Sequence, residues 1–118
     1  MRDASQADEL LTFFKALADA TRLKIVGLLA GEGRSVEQLA AMLGVWPSTV
    51  SHHLARLSEA GLVTARAEGY YSIYELNTKA LEEMARRLLA RETLPAVAAE
   101  VDVDAFDRKV VANYSTPE

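Results

Sequence analysis

With 118 residues, half of them hydrophobic, the chain holds enough apolar material for one compact core, and a domain of this size still exposes much of its surface. The absence of cysteine excludes disulfides, thiolate metal sites, thiol redox switching and cysteine nucleophiles; no apolar run approaches the roughly 18–20 residues that span a bilayer. The formal charge of −4 is unevenly placed, since residues 1–99 carry 11 Lys plus Arg against 12 Asp plus Glu whereas residues 100–118 carry 2 against 5, so the body is nearly neutral and charge neither supports nor forbids nucleic-acid binding. Asp3, Asp8 and Glu9 near the start do not read as a secretory signal, and a cytoplasmic location without membrane contact is expected.

Leu10, Leu11, Phe13, Phe14 and Leu17 recur at helical spacing and predict a first helix over residues 8–18. Asp19 is placed to cap a second helix, short and mostly buried, through Leu23, Ile25, Val26, Leu28 and Leu29. Gly31 and Gly33 predict its stop, because glycine readily takes the left-handed conformation after a helix end. Ser35 and Gln38 have the spacing of a capping box, Gly44 fits the end of this third helix, and Leu39, Ala40 and Leu43 face inward.

Pro47 opens a fourth helix over residues 47–60, because its fixed φ suits the first turn and its missing N–H is no loss there. Val50, Leu54 and Leu57 repeat at i, i+4 and i+7, which sets the buried side and leaves Ser48, Thr49, Ser51, His52, Ala55 and Arg56 around the other. Trp46, just before Pro47, stands where a small capping residue is usual; it either packs as a hydrophobic staple or lies near the surface in a ligand or partner contact.

Residues 62–67 and 71–76 are strand candidates joined around Glu68, Gly69 and Tyr70. The apolar alternation of the second strand is imperfect, so the hairpin rests more on turn chemistry than on periodicity; Tyr70 and Tyr71 read as packing residues. Residues 78–94 return to helical spacing, with Leu81, Met84, Ala85, Leu88 and Leu89 opposite Glu82, Glu83, Arg86 and Arg87, and Pro95 is expected to end this fifth helix. The expected fold is mainly α with a two-stranded β-wing, a winged helix-turn-helix. A single domain over residues 1–95 would be followed by an acidic linker and short helix over 96–118, in which Phe106, Val110 and Tyr114 fall at i, i+4 and i+8.

Two short helices separated by a glycine-containing turn, the second opened by small polar residues, form the layout that presents a helix to the DNA major groove. Small hydroxyl side chains let backbone approach phosphates, a helix N-terminus favours anions, and Arg56 adds a charge one turn later. His53, beside Leu54 and Leu57, reads as a structural histidine. Neighbouring histidines on a helix point roughly 100° apart. With no acid placed to orient them, His52 and His53 do not make a catalytic set, and no enzyme is expected.

Four segments in order, Leu17-Ala-Asp-Ala-Thr-Arg-Leu-Lys-Ile25, Ser48-Thr-Val-Ser-His-His-Leu54, Glu59-Ala-Gly-Leu-Val63 and Glu68-Gly-Tyr-Tyr-Ser-Ile-Tyr74, resemble the ArsR/SmtB family of winged helix-turn-helix repressors. The resemblance covers roughly residues 10–92. It implies a homodimer through helices one and five that binds a palindromic double-stranded DNA operator and leaves it when an inducer binds. It also implies DNA contacts at Ser48, Ser51 and His52, to which helix geometry adds Thr49 and Arg56, with Pro47 at the helix start and Arg66 in the wing. Apart from the resemblance, the apolar stripes of Leu10, Phe13, Phe14 and Leu17 and of Leu81, Met84 and Leu88 exceed what a three-helix head with a wing needs to cover, which predicts the interface there.

The family's metal sites use cysteines on helix three or Asp and His on helix five; this chain has Ser35, Val36 and Glu37 at the former and no histidine on the latter. No transition metal and no cofactor is therefore expected, which leaves a non-metal inducer, a protein partner or constitutive binding. Glu100, Asp102, Asp104 and Asp107 lack the glycine turn of a calcium loop and read as a solvated linker. The segment from Asp104 to Tyr114 resembles the opening of a C-terminal domain of unknown function that follows some ArsR-type heads. The alternative to a DNA-binding regulator is a winged-helix module that binds protein alone.

Overall fold

The computed structural model describes residues 6–100, excluding the Glu100 side chain. Its elements run α1 (Gln6–Leu17), α2 (Ala20–Gly31), α3 (Val36–Leu43), α4 (Pro47–Glu59), β1 (Val63–Glu68), β2 (Tyr71–Leu76), α5 (Thr78–Leu89) and α6 (Thr93–Glu100). Residues 101–118, with the expected Phe106, Val110 and Tyr114 helix and the carboxylates of Asp102, Asp104 and Asp107, lie outside the described residues.

Local capping sets several boundaries. Asp19 is extended, and its carboxylate accepts the Arg22 backbone N–H at 3.0 Å. Ser35 and Gln38 form both bonds of the capping box at 3.1 and 2.9 Å, and Gly44, at φ 68°, donates its N–H to the Ala40 carbonyl at 2.9 Å. Asn77 opens α5 by accepting the Ala80 N–H at 3.2 Å while its amide donates to the Gly61 carbonyl at 3.0 Å, which ties the base of the hairpin to the helix that follows.

Ile25, Leu29, Leu39, Val50, Leu54, Leu57, Leu62 and Val63 form the centre of the core, joined by Phe13 and Ala16 of α1. Each fully buried Leu or Ile contributes about 1.5–3 kcal/mol relative to exposure. The i, i+4, i+7 face of α4 is therefore the inward face, as its spacing requires.

Several expectations are corrected. The α2 helix ends without a left-handed glycine: Glu32 is extended, and neither Gly31 nor Gly33 has positive φ. Gly33 is required instead by close approach, because a Cβ there would lie 2.8 Å from Ile73 Cγ2, where Arg34 and Tyr74 bridge α2's exit to β2 with backbone bonds of 3.0 and 2.8 Å. Nor is α2 mostly buried; Ile25 and Leu29 are its fully covered residues while Leu23 is half exposed, since one stripe of a surface helix meets the core. Pro95 does not end the fifth helix. That helix stops at Leu89, and Pro95 lies in the first turn of α6, where a missing N–H costs nothing. The α6 helix packs on α1 and α5, so the boundary expected after residue 95 falls within it.

The α1 stripe also divides differently. Leu10 and Phe13 are buried within the protomer, with Leu17, Leu81 and Met84 half-buried on the same core, so Leu10 and Phe13 offer little surface to a second copy. Leu11 and Phe14, one position further round the helix, are about half exposed instead. In the hairpin, pairing from Val63↔Leu76 to Glu68↔Tyr71 leaves a two-residue turn with Gly69 at φ 61°. Beyond Val63 the β1 strand is exposed, which explains the weak alternation in its sequence.

The Arg22 N–H bond, with the Arg22 guanidinium and His53 nearby, holds the Asp19 carboxyl below its ordinary value of 3.8. A depressed folded pKa means that this contribution to stability is present above 3.8 and is lost as pH falls through the folded value. We expect the urea midpoint of the wild type to drop below about pH 4 more steeply than that of Asp19→Asn, which retains a capping oxygen but does not titrate; parallel slopes would remove Asp19 from the acid response.

Candidate nucleic-acid interface

With Val50, Leu54 and Leu57 committed to the core, α4 turns Ser48, Ser51, His52, Ala55 and Arg56 to solvent, while Thr49 is half-buried. The helix opens at Pro47 with no side-chain cap, and the Trp46 carbonyl accepts the N–H groups of Thr49 and Val50 at 3.0 and 3.2 Å. Trp46 itself is 79% exposed, so it makes no hydrophobic staple: the indole projects from the turn between α3 and α4. Short side chains at the start of α4 leave its partly positive N-terminus open to an anion.

His53 has a different task. Its Nδ1 lies 3.2 Å from Arg22 Nη1, and because a guanidinium has no acceptor, Nδ1 must accept and the ring proton resides on Nε2. The same guanidinium donates to the carbonyls of Ala16 at 2.6 Å and Lys15 at 3.2 Å. Arg22 thus closes the C-terminus of α1 and docks α4 against it. Sequence reading placed His53 correctly but missed Arg22, whose partners include a side chain 31 positions away.

On the wing, Arg66 is half exposed, and its guanidinium binds the carboxylates of Glu75 and, at 2.7 Å, Glu68. Both hydrogen bonds raise its pKa, and the two acids offset its charge locally. Tyr70 is fully exposed and Tyr71 largely so, contrary to the packing role expected of them, because a two-residue turn projects beyond any neighbour able to cover them. Arg34, Arg86 and Arg87 are paired with Glu32, Glu83 and Glu9, whereas Arg56 has no ion pair among the described residues. The Leu81, Met84 and Leu88 side of α5 is half-buried, and Leu89 is 85% exposed.

A protein-family model described as the arsR family of bacterial regulatory proteins matches residues 19–65. The chain is also 38% identical over 97 residues to the uncharacterized HTH-type transcriptional regulator Rv0081 of Mycobacterium tuberculosis, spanning 79% of this chain and 85% of that one. The chain belongs to the ArsR family. This ArsR-family protein is further similar to the transcriptional repressor SdpR of Bacillus subtilis, at 34% identity over 70 residues, 59% of this chain and 78% of the repressor. Among solved structures it resembles the homodimeric winged helix-turn-helix DNA-binding domain Mb0332 of Mycobacterium bovis, with a TM-score of 0.62 and 34% identity over 72% of this chain and 84% of that one. It is an ArsR-family transcriptional regulator with a DNA-binding winged helix-turn-helix, not an enzyme. Among the described residues no helix is long and apolar enough to cross a membrane.

Proposed function

We propose that this ArsR-family regulator is a homodimeric repressor that lays α4 of each protomer in successive major grooves of a palindromic operator. The observation that carries this reading is the division of α4 into a fully buried Val50, Leu54 and Leu57 face and an exposed Ser48, Ser51, His52 and Arg56 face. Ser51 and His52 read base edges, Arg56 meets phosphate, and Pro47, Ser48 and Thr49 bring the helix N-terminus close to the backbone. Arg66 contributes less than a free arginine, because it must leave Glu68 and Glu75 to reach a phosphate. The similarity to SdpR supports repression, and the likeness to the Mycobacterium bovis domain supports the dimer.

Exposed Leu11 and Phe14 on α1 and the Leu88 and Leu89 end of α5 form the dimer surface, in place of Leu10 and Phe13. A two-fold dimer sets the α4 pair roughly 34–36 Å apart, one turn of duplex. Without cysteine the releasing signal does not act through thiolates. The paired substitution Ser51→Ala, His52→Ala is expected to leave oligomeric state and melting unchanged while weakening operator binding by about 1–3 kcal/mol per lost base contact. Trp46, the one tryptophan of the chain, gives the titration an intrinsic fluorescence signal next to α4. Equal affinity of variant and wild type would reject this surface, and an absence of salt-dependent duplex binding would favour a protein-binding module.

A further inference from the structure

A cleft of about 390 Å³ opens between α1, α2 and α4, lined by Thr12, Lys15, Arg22, His52, Arg56 and Glu59. Its charge is unusual for a chain with a formal net of −4. Arg22 is balanced by Asp19 at 3.9 Å and directs its other donors to backbone carbonyls and His53. Lys15 and Arg56, by contrast, have no ion pair among the described residues, although most described arginines elsewhere are matched with acids. They approach the cleft from α1 and α4, with one lining carboxylate, Glu59, between two unmatched cations. His52 and Arg56 are four residues apart and share one stripe of α4, so the cleft continues the exposed face of that helix onto α1.

We propose that this cleft binds a phosphate group, held by Lys15 and Arg56 with His52 as a hydrogen-bonding partner. Two like charges on opposite walls of a concave surface repel, and an anion between them relieves that repulsion while gaining charge-assisted hydrogen bonds. The phosphate comes either from the operator backbone, which would extend the footprint of α4 onto α1, or from a free phosphate-bearing molecule, which would occupy His52 and Arg56 and compete with DNA. The first source rests on the function proposed above; the second requires only the cleft.

Two measurements separate them. Operator affinity is followed from about 50 to 200 mM salt for wild type, Lys15→Gln and Lys24→Gln, the last removing the same charge from α2 outside the cleft. In parallel, DNA-free protein is titrated with inorganic phosphate against chloride of equal ionic strength, and the amide resonances of His52 and Arg56 are recorded by NMR.

If the backbone fills the cleft, Lys15→Gln lowers the slope of log affinity against log salt by about 0.9 and Lys24→Gln leaves it unchanged. If a free anion fills it, phosphate shifts the His52 and Arg56 signals in wild type but not in Lys15→Gln, and it releases bound operator more effectively than chloride. A wild-type slope in Lys15→Gln together with no Lys15-dependent phosphate shift overturns the proposal. Failure of the wild type to bind any duplex would instead count against the proposed function, and the phosphate titration would still decide the cleft.

Discussion

Phe14→Glu yields a protein that keeps its helical content, sediments as a monomer, and loses operator affinity by about 10²–10⁴-fold. In the protomer Phe14 is 47% exposed and makes an edge contact with Phe13, with ring centroids 5.5 Å apart and planes at 85°. Losing that pair costs the isolated fold about 0.5–1.5 kcal/mol, a small share of the stability of a typical domain. At a two-fold apolar seam the same change buries an unpaired carboxylate in each copy, and breaking a buried contact in this way typically costs about 3–5 kcal/mol. Loss of the seam removes the linkage between two half-sites, and with it the gain of roughly 10²–10⁴ that joined binding modules hold over single ones. Sedimentation equilibrium and a duplex titration check both parts. A Phe14→Glu protein that remains dimeric would displace the interface from this face of α1.

Leu57→Ala acts on the fold itself and lowers the free energy of unfolding by about 2–5 kcal/mol in urea denaturation. Leu57 is completely buried among Ile25, Leu39, Val50, Leu54 and Leu62, and its carbonyl accepts the Leu62 N–H at 2.9 Å where the chain leaves α4 for the hairpin. The lost side chain removes apolar burial and leaves a void that a close-packed interior closes only in part. Because α4 carries both this core face and the exposed Ser51 and His52 face, the two substitutions separate cleanly: the core change lowers stability, while the outward pair changes DNA affinity at constant stability. A loss below about 1 kcal/mol for Leu57→Ala would mean that the core collapses around the gap and that α4 is less firmly seated than its burial indicates.

Much of the fold was legible because its signals are local. The Ser35 and Gln38 box, the Asp19 cap and the Pro47 start each join a side chain or ring to backbone within about one turn, and each boundary appears where those residues place it. The same holds for Val50, Leu54 and Leu57, whose spacing defines a helical face before any partner is known. The misplaced points have a common origin. Gly33 was read as a helix stop although its requirement comes from Ile73, 40 positions later; Pro95 was read as an end of one helix although it begins another; Trp46 was open to a staple that no neighbour provides.

The amino-acid order by itself determined where helices start, which face of α4 is apolar and that thiolate chemistry is absent, since these depend on residue type and on backbone geometry over a few residues. Only the packed chain decided that Leu10 and Phe13 turn inward while Leu11 and Phe14 stay exposed, that Arg22 joins α1 to His53, that Arg66 is held by Glu68 and Glu75, and that Lys15 shares a cleft with Arg56. Those relations depend on which surfaces come together when helices and hairpin close on one core, and a dense interior permits few such arrangements, none of them written in the spacing of neighbouring residues.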